Sequence, residues 1–102
     1  MGTLHTVNKS PFQTQTLLSC IAHVKAGDAV LLIEDGVYGA TTGTAVSDAL
    51  SNMSSDVTLY VLGPDFAARG IDAGRMAEGV TSVDYEGFVD LAADHDRVQN
   101  WL

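Results

Sequence analysis

The chain has 102 residues, 46% of them hydrophobic, with 5 Lys+Arg against 13 Asp+Glu for a formal charge of −8. That length suits one compact domain, residues 1–102, able to bury an apolar core without staples. A single cysteine, Cys20, excludes an intrachain disulfide, a CxxC redox pair and a cysteine-rich zinc knuckle, while the acidity argues against a grip on phosphate backbones, which Lys and Arg provide.

One cysteine and no disulfide fit a reducing, cytoplasmic setting. Met1 to Asn8 offers neither a basic region nor the apolar stretch of a signal peptide. The longest apolar runs, such as Ala29 to Ile33, fall far below the roughly 20 residues of a bilayer helix. Met1-Gly2-Thr3-Leu4-His5-Thr6 fits a myristoylation pattern, although the same stretch reads as a strand.

Thr3-Leu4-His5-Thr6-Val7 alternates as a short strand and stops at Asn8-Lys9-Ser10-Pro11. From about Thr14 to Lys25, Leu17, Cys20, Ile21 and Val24 recur at helical spacing, with Leu18 and Ala22 widening the stripe. Ala29 to Ile33 is continuously apolar, as in a parallel strand covered on both faces. Glu34-Asp35-Gly36 ends it, and a small-residue segment from Val37 to Gly43 leads into a helix predicted over Thr44 to Asn52. Val57 to Leu62 is a third strand, broken by Gly63-Pro64, after which Asp65 is positioned to cap a short helix stopping at Gly70. Val80 to Val83 is a fourth strand, and a last helix is predicted from about Asp84 to His95 with Phe88, Val89, Leu91 and Ala92 inward. The order β-α-β-α-β-α-β-α reads as a single-domain, open, mainly parallel α/β sheet with helices on both faces. Chemistry in such sheets gathers at the carboxyl ends of strands, here Asn8 to Gln13, Glu34 to Gly43 and Gly63 to Gly70.

Cys20 is the candidate catalytic residue. A reactive thiol needs its thiolate, which helix amino-termini and neighbouring cations favour; a mid-helix cysteine on an apolar stripe reads, from spacing alone, as a small hydrophobe in preference to a reactive thiol. His23, three residues on, and Lys25 are the nearest cationic candidates. Glu34 and Asp35 read as a turn and hydrogen-bonding anchor in preference to metal ligands, because no convergent ligand pattern accompanies them. Gly36, Gly39 and Gly43 are spaced loosely like a phosphate loop but match neither dinucleotide nor P-loop fingerprints, so a nucleotide module is the weakest reading. His5, His23 and His95 are scattered, and no G-x-S-x-G elbow exists for a serine nucleophile such as Ser10 or Ser19. Tyr38, Phe66 and Trp101 are aromatic anchors for a partner or for the core, and Trp101-Leu102 calls for docking on this domain or a neighbour. No cofactor and no metal is expected.

Leu4-His5-Thr6-Val7-Asn8-Lys9-Ser10-Pro11, Gly27-Asp28, the strand ending Glu34-Asp35-Gly36-Val37, Asp65-Phe66-Ala67-Ala68-Arg69-Gly70, and Asp84-Tyr85-Glu86-Gly87-Phe88-Val89 together resemble the DsrH/TusB family, most nearly its DsrH branch. The likeness runs from Leu4 to Trp101. It implies a parallel three-layer fold and a subunit of a cytoplasmic sulfur-relay complex. Such a complex is a heterohexamer with two copies each of this chain, a DsrE/TusD-like subunit and a DsrF/TusC-like subunit, passing persulfide sulfur to or from a DsrC/TusE-type carrier. The DsrEFH form implies oxidation of stored sulfur; the TusBCD form implies 2-thiouridine synthesis in tRNA, with another protein touching the nucleic acid. In the DsrE/TusD-like sister the sulfur-accepting cysteine ends the third strand ahead of an Arg-Gly pair. Arg69-Gly70 matches that pair, but Leu62-Gly63-Pro64-Asp65 holds no thiol. Cys20 resembles a cysteine of the DsrH branch, where TusB sequences can carry an apolar residue, so a persulfide carrier and a packing residue both remain open. The expected role is an accessory, partner-binding subunit, with a directly persulfidated Cys20 as the alternative.

Overall fold

The computed structural model of the chain describes residues 2–41, 57–77 and 79–101. Five strands, β1 (Thr3–Val7), β2 (Ala29–Leu32), β3 (Thr58–Leu62), β4 (Val80–Val83) and β5 (Arg97–Trp101), form one sheet in the order β4-β3-β2-β1-β5. Every pairing is parallel. The helix predicted over Thr44 to Asn52 lies outside the described residues.

The four strands read from the sequence form, and a fifth joins them. Arg97 to Trp101 pairs with β1 from Thr3↔Arg97 to Val7↔Trp101, so β1 lies between β2 and the last strand. This edge strand has no apolar alternation to betray it; all of its residues but the half-buried Trp101 are exposed. Trp101 therefore docks on its own sheet. Its side chain and those of Arg97 and Gln99 lie on one face, with His5 and Thr3, which leaves Val98 and Asn100 for the opposite face, where Asn100 accepts the Thr6 hydroxyl.

Helix α1 (Thr16–His23) covers the first face with Leu17 and Cys20, joined by the half-buried Ile21 and Val24, on the spacing the sequence predicts. Leu18 stands 41% exposed and Ala22 is also exposed, so the buried stripe is narrower than expected. The helix stops two residues short of Lys25 because the Lys25 N–H, which a further turn would give to the Ile21 carbonyl, donates instead to the Asp28 carboxylate at 3.0 Å. Helix α2 (Gly63–Ala68) starts earlier than predicted, with Pro64 in its first turn, where a missing N–H costs nothing. Asp65 is thus inside the helix and does not cap it. Helix α3 (Tyr85–Asp94) is capped by Asp84, whose carboxylate accepts the Gly87 N–H at 2.8 Å, and it packs Phe88, Leu91 and Ala92 onto Leu4, Leu31 and Leu62 of the opposite face. Val89, expected inward, is 66% exposed.

Glu34–Ala40 is a 3₁₀ segment where the sequence suggested a turn and loop. It threads tightly across the sheet end. A Cβ on Gly36 would lie 2.1 Å from the Val7 carbonyl oxygen, and one on Gly39 would lie 2.6 Å from a Leu17 methyl. Close packing, not a phosphate, accounts for these two glycines. Gly36→Ala forces the segment off backbone that cannot yield, so chemical denaturation should show a loss of about 2 kcal/mol. Gly74→Ala, whose nearest neighbour is a side-chain oxygen at 3.5 Å, should cost much less.

Candidate functional site

At the carboxyl ends of the strands the chain gathers Asn8, Glu34, Asp35, Asp65 and Arg69. The Glu34 N–H donates to the Asp65 carboxylate at 2.7 Å, holding Glu34 in a left-handed conformation of φ 49°. Arg69 donates through Nε to Asp35 at 3.1 Å, and Asn8 reaches Glu34 at 3.5 Å. Asp35 is the anchor that the turn reading expects. These contacts are exposed and tie α2 to the β2 end, although Asn8 Oδ1 is buried without a hydrogen-bond partner; they present no poised acid, base or nucleophile. Ser10 is a turn residue, its hydroxyl accepting the Phe12 N–H at 3.2 Å. Phe66 is core, 3% exposed, whereas Tyr38 stacks obliquely on Phe12 with ring centres 6.3 Å apart.

A second constellation lies on the α1 face and was not read from the sequence. His5, buried in the middle of β1, meets Asp28 at 2.9 Å through Nε2, and the Trp101 indole N–H donates to His5 Nδ1 at 3.0 Å. Since the indole can only donate, Nδ1 must be the bare nitrogen and Nε2 must carry the proton that goes to Asp28. Asp28 accepts two further backbone donors, Thr3 N–H at 2.9 Å and Lys25 N–H at 3.0 Å. Burial works against its charge, but the hydrogen bond from His5 and those from Thr3 and Lys25 prevail, and the carboxyl sits below its ordinary value of 3.8. His23 closes the outside of the cluster, its ring 5.5 Å from the Trp101 ring and its Nδ1 bonded to the Ser19 carbonyl. A cavity of about 660 Å³ opens beside these groups, also edged by Lys25, Asp96 and Arg97. Of the three histidines, His5 and His23 are thus brought to one site through Trp101, while His95 binds the Leu91 carbonyl at 2.7 Å elsewhere. His5 spends its hydrogen-bonding capacity on Asp28 and Trp101, and Asp28 spends its own on His5 and the backbone, so the cluster holds structure together.

Cys20 lies beneath this region in the apolar core with Val7, Leu17 and Val30, and is fully buried. Burial first, and the nearby Asp28 charge second, push its thiol from 9.0 up to about 12. His23 turns outward to Trp101 and the Ser19 carbonyl. In this conformation the thiol is protonated and out of reach of a sulfur donor. Among the described residues no group of three or more His, Cys, Asp or Glu is arranged to hold a metal ion, and no helix is long and apolar enough to cross a membrane.

Comparison with known proteins adds what the geometry leaves open. A family model described as DsrH like protein matches residues 9–98. Proteins named TusB from Escherichia coli O81 (strain ED1a) and Pectobacterium parmentieri are 34% and 37% identical over 98 residues, each alignment covering 96% of this chain and 99% of the relative. A TusB from Erwinia tasmaniensis is 38% identical over the same span. Among solved structures, the ychN protein of E. coli superposes with a TM-score of 0.80 at 16% identity, covering 98% of this chain and 99% of that one. Protein MTH1491 from Methanobacterium thermoautotrophicum, titled as of unknown function, superposes with a TM-score of 0.72 at 17% identity over 95% and 96% of the two chains. These two likenesses speak for the open parallel sheet alone. With a family model covering most of its length and relatives above 30% identity along nearly all of it, the chain belongs to the DsrH/TusB family of sulfur-relay proteins.

Proposed function

We propose that this chain is a partner-binding subunit of a TusB-type sulfur-relay complex serving 2-thiouridine synthesis in tRNA, with the sulfur carried by thiols on other subunits. The observation that carries this reading is the placement of its one cysteine: Cys20 is fully buried with its thiol pushed up to about 12, and Leu62-Gly63-Pro64-Asp65, which matches the end of the third strand where the DsrE/TusD-like sister holds its cysteine, has no thiol. Relatives named TusB at 34–38% identity favour the tRNA branch over the sulfur-oxidising branch to which the residues bear their nearest resemblance. A charge of −8 agrees with a chain that meets proteins and leaves RNA to others.

Co-expression with TusC-like and TusD-like sisters, followed by native mass spectrometry, should show one complex with two copies of each chain. Cys20→Ala should leave both assembly and sulfur delivery to a TusE-type carrier intact. A chain that remains alone in the presence of its sisters overturns the subunit role. A one-sulfur adduct on this chain, lost with Cys20→Ala together with delivery, establishes instead that Cys20 is a persulfide carrier.

A further inference from the structure

Helix α3 carries an acidic solvent face, part of which works against its own stability. Glu86, Asp90 and Asp94 recur every four residues, all exposed. Like charges at this spacing repel, and carboxylates in the second half of a helix oppose its dipole. The last turn has no basic residue, and among the described residues neither Glu86 nor Asp90 has a cationic partner. Beside this acidic row stand Tyr85 and Val89, 61% and 66% exposed and also one turn apart, while Phe88, Leu91 and Ala92 take the inward positions. On the same side of the sheet, the edge strand leaves Val98 45% exposed. Local choices that disagree with isolated stability mark places where a sequence answers to something else. An apolar ridge bordered by charge is the pattern of an interface.

The sign of the charge selects the occupant. A second copy applied by two-fold symmetry would set Glu86 and Asp90 against themselves, and nucleic acid or an anionic membrane would be repelled. Residues 70–102 hold seven Asp+Glu against two Arg, so this third of the chain as a whole also disfavours anionic partners. We propose that the outer face of α3 docks a basic amphipathic segment of a different protein, seating apolar side chains on Tyr85 and Val89 and pairing Lys or Arg with Glu86 and Asp90. This holds whether or not the relay assignment does, since it rests on the helix alone.

The probe is a fluorescein-labelled, 18-residue helical peptide with a leucine face flanked by lysines, titrated by anisotropy against the full chain. Amide shifts in the labelled chain should centre on residues 85–94. Glu86→Gln with Asp90→Asn should weaken binding about tenfold, as two exposed ion pairs allow. Tyr85→Ser with Val89→Ser should weaken it comparably at unchanged net charge, and a peptide with Glu for Lys should not bind. Asp72→Asn with Asp96→Asn removes the same two charges elsewhere and should have little effect. All six positions are exposed, so circular dichroism should report unaltered folding. Equal weakening by the Asp72/Asp96 pair, indifference to the Tyr85/Val89 pair, or shifts centred away from α3 would each overturn the proposal.

Discussion

Replacing His5 by alanine should lower the unfolding free energy by about 3 kcal/mol, because it strands the buried Asp28 carboxylate without its side-chain partner. The two side chains are 8% and 10% exposed, so water cannot make good the loss. The same change leaves the Trp101 indole N–H without its acceptor. Trp101 is the single tryptophan, and its emission should therefore shift to the red as β5 loosens from β1. His23→Ala, which removes a ring contact from the exposed side, should cost less than about 1 kcal/mol and leave the emission nearly unchanged. Asp28→Asn should mimic the His5 loss and remove part of the acid sensitivity. The Asp28 carboxyl is held below 3.8 in the folded chain, so its contribution is complete above that ordinary value and drains away as pH falls through the lower, folded value. Wild-type stability below about pH 4 should accordingly fall more steeply than that of Asp28→Asn. A His5→Ala loss under about 1 kcal/mol with unmoved emission would show that the cluster is incidental.

Native Cys20 should resist iodoacetamide by about a thousandfold relative to the unfolded chain at the same pH. Raising the thiol from 9.0 to about 12 lowers the thiolate fraction by that factor, before any steric exclusion is counted. The reaction should therefore follow opening of the fold, accelerating with urea in step with unfolding. Ionising the thiol above pH 9 also favours the unfolded chain, since stability present below the ordinary value is lost as pH climbs toward 12. Rapid labelling in the folded protein near neutral pH would mean that α1 lifts from the sheet readily, and would return Cys20 to candidacy as a sulfur carrier.

Much of this architecture is legible in the residues. The unbroken apolar run of β2 announces a buried parallel strand, and Leu17, Cys20, Ile21 and Val24 announce the inner face of α1. What eludes reading has physical causes. Arg97-Val98-Gln99-Asn100-Trp101 is an edge strand, which needs no alternation when almost nothing in it is buried. The 3₁₀ path of Glu34–Ala40 depends on Gly36 and Gly39 passing within contact of Val7 and Leu17, a fit that only the assembled sheet reveals. The His5 site is harder still. His5 alone is an ambiguous histidine, Asp28 a residue before a strand, and Trp101 an awkward apolar tail; parallel pairing of β1 with both β2 and β5 brings them together. The one available hint was chemical: a histidine in an apolar strand needs a buried acceptor or donor, and Asp28 precedes the strand that pairs beside it.

The position of β1 also bears on how the chain comes to fold. Its partner on one side is β5, the most C-terminal of the described strands, with Thr6 and Asn100 bonded across 94 residues. During synthesis β1 can pair with β2 early, but its other edge stays open until Arg97 to Trp101 has left the ribosome. Throughout that interval a nascent chain exposes the unsatisfied backbone of Thr3 to Val7, an invitation to wrong pairing that chaperones or prompt assembly must cover.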